Sequence, residues 1–219
     1  MSNLNNSKLI NFYTQIKQKK VHNPNEHIHQ IELPFRGLIC TASGGGKSNL
    51  MLNILYEFHN TFHKILIITK AEEPLYTMLQ GKIKTVEIYY EGQMPAEIEK
   101  METAQNGLII FDDMVLTNNN KIGEMFIRGR KLGYSSVYIT QSFFGTPKII
   151  RQNVNYIFLG RGMTKRDLRL VLSEFAMGMS VNDLEHYYSS TTNEKMNFLM
   201  IDLNKRNLRK NIKDIILEF

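Results

Sequence analysis

Two nearly uninterrupted apolar runs, Lys64–Thr69 (KILIIT) and Gly107–Phe111 (GLIIF), constrain the fold of this 219-residue chain more than any other feature. A strand with one wet face alternates apolar and polar residues. A run that is apolar almost throughout must be buried on both faces. That requires helices above and below a sheet, which βαβ units supply. The expected fold class is therefore α/β, with a mainly parallel sheet flanked by helices. Such sheets bind ligands beyond the carboxyl ends of their strands.

The rest of the pattern agrees. Strands are predicted over 35–40, 84–90, 135–140, 155–159 and 196–203 in addition to the two runs. Helices are predicted over 47–59, 74–80, 95–103, 121–131, 164–175 and 181–188. Leu50, Met51, Ile54, Leu55 and Phe58 recur at helical spacing. The division expected is a polar, basic extension over 1–30, one α/β domain over 31–203 and a basic tail over 204–219. The extension reads as a helix and a loop, with Lys17, Lys19 and Lys20 clustered. His27 and His29 fall in that loop, with neither a cysteine nearby nor a second histidine pair at finger spacing, so metal binding there is not favoured.

Composition narrows the setting. A hydrophobic fraction of 42% with 22% charged residues is ordinary for a globular protein. One cysteine permits no intrachain disulfide, which fits a reducing compartment. Neither a leader peptide nor a run long enough to span a membrane is visible. A soluble, intracellular protein with no membrane partner is expected. The net charge of +6 resides mostly in the second half, which favours an anionic partner such as nucleic acid, or simply a basic solvated surface.

The strongest local motif is Thr41-Ala-Ser-Gly-Gly-Gly-Lys47-Ser48, between a strand and a helix. It matches a phosphate-binding loop in context as well as composition. Gly44, Gly45 and Gly46 allow backbone N–H groups to surround a phosphate, and the helix N-terminus adds partial positive charge. The nucleotide-binding set expected is Ser43, Gly44, Gly45, Gly46, Lys47, Ser48 and Asn49. Lys47 would contact the β- and γ-phosphates, and the Ser48 hydroxyl would ligate Mg²⁺. Thr41 stands where the pattern asks for glycine, and a β-branched residue resists the backbone angles that glycine permits, which the flexible glycine triplet later in the loop would relieve.

The second motif is the strand tip Phe111-Asp112-Asp113. A carboxylate at the end of a buried strand is costly without a cation. Asp112 is suited to hold Mg²⁺ beside Ser48, and Asp113 to orient or deprotonate an attacking water. A capped helix start is the plainer reading of two such acids. A third strand ends at Thr140-Gln141-Ser142, where Gln141 would sense a γ-phosphate or serve only as a turn amide. A strand inserted between loop and acid pair, an acid following the metal aspartate, and a polar strand tip describe the additional-strand, catalytic-acid class of P-loop ATPases.

With these motifs the chain resembles the FtsK–HerA superfamily of DNA-pumping ATPases, and more closely the genome-packaging ATPases of large DNA viruses, virophages and related mobile elements. The resemblance rests on residues 41–48, Ile109–Met114, Phe126–Arg130, Ile139–Ser142 and Arg151–Asn153. It implies a RecA-like P-loop ATPase core, ATP with Mg²⁺, a homo-oligomeric ring and double-stranded DNA as the moved substrate. Capsid proteins would be further partners, and the setting would be a virion assembly site in host cytoplasm or nucleus. Asp113 stands where many superfamily members carry Glu.

Ring ATPases complete their sites with an arginine from the next subunit. Arg130, then Arg128, then Arg151 are the candidates, each equally readable as a surface or DNA-facing side chain. Two basic clusters, Arg161/Lys165/Arg166/Arg169 and Lys205/Arg206/Arg209/Lys210/Lys213, would touch DNA phosphates, or else form a solvated helix face and a loose tail. Three rivals stay open: a cellular-type DNA translocase or helicase, a nucleotide-dependent remodeller of a partner other than DNA, and a phosphotransferase to a small acceptor.

Overall fold

A computed structural model describes residues 10–16, 21–114, 120–175 and 177–219. The basic cluster Lys17, Lys19 and Lys20 lies outside them. The elements run α1 (Glu26–His29), β1 (Arg36–Cys40), α2 (Lys47–Glu57), β2 (Lys64–Thr69), α3 (Pro74–Lys82), β3 (Val86–Tyr89) and α4 (Ala96–Glu99). They continue β4 (Gly107–Asp112), α5 (Asn120–Arg128), β5 (Tyr134–Thr140), α6 (Lys148–Arg151), β6 (Tyr156–Leu159), α7 (Lys165–Phe175) and α8 (Val181–Thr192). Strands β7 (Leu199–Asp202), β8 (Asn207–Lys210) and β9 (Asp214–Glu218) end the chain.

The strands form one sheet in the order β3-β2-β4-β5-β1-β6-β7-β8-β9. The first six are parallel, and β7, β8 and β9 are antiparallel. Alternate residues supply two cores, as the period of a strand demands. Leu38, Leu66, Ile68, Ile109, Phe111 and Tyr138 face the layer holding α4, α5, α7 and α8. Ile39, Ile65, Ile67, Leu108, Ile110 and Val137 face α2 and α3. Every residue of β4 and β5 is buried, so the two-faced burial expected of the apolar runs is what the fold provides.

Several expectations change. The helix expected over 95–103 is only Ala96–Glu99, because Met101 takes a left-handed backbone at φ 55°. The helix expected over 121–131 ends at Arg128 and tightens into a 3-10 turn over Gly129–Leu132, closed by Gly133 at φ 83°. The largest correction is at the C-terminus. Residues expected as a basic tail form β8 and β9, and extend the sheet.

Arg209 explains how charge enters that edge. Its side chain is 1% exposed and pairs with the fully buried Asp202 on β7. It also donates to the carbonyls of His29 and Ile212. Arg209 therefore leaves the set of candidate DNA-contacting residues. Lys213, between β8 and β9, pairs with Glu57 at the end of α2.

Removing one partner of a buried pair strands the other charge. Arg209→Met is expected to lower unfolding free energy by about 3–5 kcal/mol in urea titration, and Arg209→Met with Asp202→Leu to recover part of it. His29 gives a second, pH-dependent expectation. It is fully buried, lies with its ring 4.2 Å from that of Phe58 at a tilt of 41°, and accepts the Ile31 N–H on Nδ1. Burial, and secondarily the Arg209 charge, lowers its pKa from 6.5 to about 4. The unfolded chain then binds the extra proton first, so stability is intact above pH 6.5 and falls as pH drops toward 4, by at most about 3 kcal/mol. Urea midpoints at about pH 7 and about pH 4.5 should show this slope, and His29→Asn should flatten it while keeping an acceptor for Ile31.

Candidate nucleotide site

The phosphate loop is anchored between two neighbours of β1. The Thr41 N–H donates to the Thr140 carbonyl at 3.2 Å, and the Ala42 N–H to the Arg161 carbonyl at 3.2 Å. Gly44 and Gly46 carry the left-handed angles, φ 71° and 86°, and Gly46 caps α2. Thr41 is outside that region of backbone space, so the left-handed angles fall on glycines of the triplet and none on the β-branched residue. Its buried hydroxyl donates to the Arg161 carbonyl at 2.9 Å. Space for it comes from its neighbours: a Cβ on Gly45 would lie 2.2 Å from Thr41 Oγ1, and one on Gly160 would lie 2.6 Å from Thr41 Cβ.

A cleft of about 390 Å³ opens beside the loop, lined by Gly44, Gly46, Lys47, Ser48 and Asn49 together with Asp112 and Asp113. The strand order puts only β5 between β4 and β1, so loop and acid pair meet at the carboxyl ends of parallel strands. Asp112 is 6% exposed. Its Oδ2 accepts from the Tyr76 hydroxyl at 2.9 Å, while Oδ1 is buried without a hydrogen-bond partner. Burial raises its pKa, against the opposing effects of the Tyr76 hydrogen bond and the Lys47 charge. Burial and the facing Asp112 carboxylate push the Tyr76 phenol up as well. Asp113 is exposed at the cleft with a left-handed backbone, φ 56°. That conformation is several-fold enriched in aspartate relative to most side chains.

Other expected residues are not brought into the cleft. Ser43 is exposed at the loop tip, and Gly45 packs on Thr41. Gln141 is exposed at the end of β5, the same end of the sheet, without lining the cleft. Asn49 lines it and also touches Met196 Sδ at 3.1 Å. Arg128 and Arg130 are exposed and precede β5, whose seven residues span about 20 Å. They sit at the far end of the sheet, where Arg130 acts electrostatically on Arg36. Neither can serve the cleft of its own chain. Arg151 is committed within the chain, to Glu174 and over the Phe143 ring. Arg161, Lys165, Arg166 and Arg169 are all exposed, with Arg166 stacked 3.6 Å over Phe144.

Two contributors were missed. Glu73, which lines the cleft, accepts from the Ser48 hydroxyl at 3.1 Å, and Tyr76 holds Asp112. The available signal was an acid pair, Glu72-Glu73, just after an apolar strand, much as Asp112-Asp113 closes β4.

No family model matches the sequence, and no curated protein does. Solved structures match with probability 1.00. The genome packaging NTPase B204 from Sulfolobus turreted icosahedral virus 2, in complex with ATP-gammaS, is 16% identical with a TM-score of 0.60, over 85% of this chain and 100% of that one. B204 from Sulfolobus turreted icosahedral virus, described as the DNA-packaging ATPase, is 14% identical at 0.60, over 84% and 99%. The cytoplasmic domain of the Type VII secretion ATPase EccC from Thermomonospora curvata is 14% identical at 0.56, over 83% of this chain and 25% of that one. The chain has the P-loop ATPase fold. Among the described residues, no helix is long and apolar enough to cross a membrane.

The fit around Thr41 gives a direct test. Gly45→Ala should weaken nucleotide binding, read by calorimetry, because the new methyl would lie 2.2 Å from Thr41 Oγ1 and 2.9–3.0 Å from the Ala42 and Arg161 carbonyl oxygens. Adding Thr41→Ala should recover part of that loss.

Proposed function

We propose that this protein is an ATPase that drives double-stranded DNA, in the setting of genome packaging into a capsid. The observation that carries the ATPase part of the reading is Asp112 Oδ1, a buried, unpartnered carboxylate oxygen in a cleft walled by a glycine-rich loop and Lys47. A hydroxyl and a carboxylate are hard oxygen donors of the kind Mg²⁺ takes together with phosphate oxygens. Ser48 and Asp112 would hold it, and when bound it would neutralise charge developing on the phosphate oxygens.

The chain's own groups perform the rest. Loop N–H groups and Lys47 bind the phosphates. Asp113, exposed at the cleft mouth, orients the attacking water and accepts its proton. Gln141, at the same sheet end, responds to the γ-phosphate. Arg130, with Arg128 second, reaches the site of a neighbouring copy in a ring, since its position rules out its own. Arg161, Lys165, Arg166 and Arg169 contact DNA phosphates without reading sequence. The packaging context draws on fold likeness to B204. Likeness to EccC supports a second reading, an engine that acts on a partner other than DNA.

Steady-state ATP hydrolysis with and without long double-stranded DNA separates these readings. Hydrolysis stimulated by DNA is expected, with Lys47→Ala and Asp113→Asn lowering turnover at least about 100-fold. Arg130→Ala should abolish turnover while ATP still binds. Hydrolysis indifferent to DNA would favour the second reading, and wild-type turnover in Arg130→Ala would remove that arginine from the site.

A further inference from the structure

The nucleotide reading takes Ser48 and Asp112 as the pair that holds a divalent cation, and the role inferred for their neighbours rests on that reading. Neither side chain is free to choose its orientation. The Ser48 hydroxyl donates to Glu73 Oε2 at 3.1 Å, and Asp112 Oδ2 accepts from Tyr76 at 2.9 Å. Both partners come from one turn. Glu73 is the N-cap of α3, where its other oxygen accepts the Leu75 N–H at 3.4 Å, and Tyr76 sits in the first turn, 1% exposed.

These bonds sort the donor atoms. A serine hydroxyl has one proton and two lone pairs. With the proton directed to Glu73, the lone pairs remain for a cation. A carboxylate has two oxygens. With Oδ2 held by Tyr76, Oδ1 remains, and it is the buried atom without a partner. The cleft also carries Glu72, Glu73, Asp112 and Asp113 around Lys47, an excess of negative charge that a divalent cation would offset.

We propose that Glu73 and Tyr76 are positioning residues for the divalent cation: the first turn of α3 pre-orients Ser48 and Asp112 through these two hydrogen bonds. Such partners commonly set metal affinity by about 10–100-fold. A role confined to helix capping is separable, because capping uses only the Glu73 oxygen facing Leu75. Glu73→Ser keeps a good N-cap but is too short to reach Ser48. Glu73→Gln keeps an acceptor and loses the charge.

The probe is Mn²⁺, titrated by electron paramagnetic resonance in the presence of a non-hydrolysable ATP analogue. Glu73→Ser and Tyr76→Phe should each weaken Mn²⁺ binding about 10–100-fold. Analogue binding in EDTA should not weaken in either variant, and Glu73→Gln should lose less Mn²⁺ affinity than Glu73→Ser. Wild-type Mn²⁺ affinity in Glu73→Ser would overturn the proposal, and that variant decides the matter alone if Tyr76→Phe fails to fold. If the wild-type chain binds no Mn²⁺ with the analogue, the nucleotide reading itself falls and the proposal with it. That outcome is distinct from loss in the variants only.

Discussion

Everything at the site depends on holding one carboxylate, Asp112, at the tip of a strand that is otherwise apolar and fully buried. The sheet supplies the position and also the cost, because burial disfavours the charged form of the acid. Two features offset that cost, the Tyr76 hydroxyl from α3 and the Lys47 ammonium from α2, while Oδ1, buried without a partner, adds to it. The strand order is what brings them together, since β2 and β4 are adjacent and β1 lies just beyond β5.

The same order explains why the acids sit in different surroundings. Asp112 faces inward and is fixed. Asp113, one residue on, is turned outward by its left-handed backbone and meets water. Glu73 reaches the site from the helix that follows the neighbouring strand. Three carboxylates of similar intrinsic acidity are thus separated by exposure and hydrogen bonding rather than by chemical type, as expected where neighbouring acids do different work.

Much of this was legible in the sequence, for identifiable reasons. Apolar runs such as KILIIT can only be buried on both faces, so β2 and β4 came out within a residue of their bounds. The loop and Asp112 are local words, and the fold brings them to one cleft. The Ser48–Glu73 and Asp112–Tyr76 bonds are not local, and nothing in a tyrosine at helical spacing announces that its hydroxyl will meet an acid on another strand. The C-terminal edge was misread for a different reason. Arg209 carries a charge into the interior to meet Asp202, so β8 lacks the pattern that marks a buried strand, whereas β7 lies inside the strand expected over 196–203. How Thr41 fits was only half legible, because its space comes from Gly45 in the same loop and from Gly160 far along the chain.

The place of β1 in the sheet has a consequence for how the chain is made. β1 is hydrogen-bonded only to β5 and β6, and its nearest partner residues begin at Ser136 and Tyr156. The strand that carries the phosphate loop therefore leaves the ribosome long before either neighbour exists. Until then Leu38, Ile39 and Cys40 have no edge to join, and pairing must bridge a long stretch of sequence, a slow step in folding. The loop stands near the start of the chain, yet it takes its final shape only when the sheet closes on both sides of it.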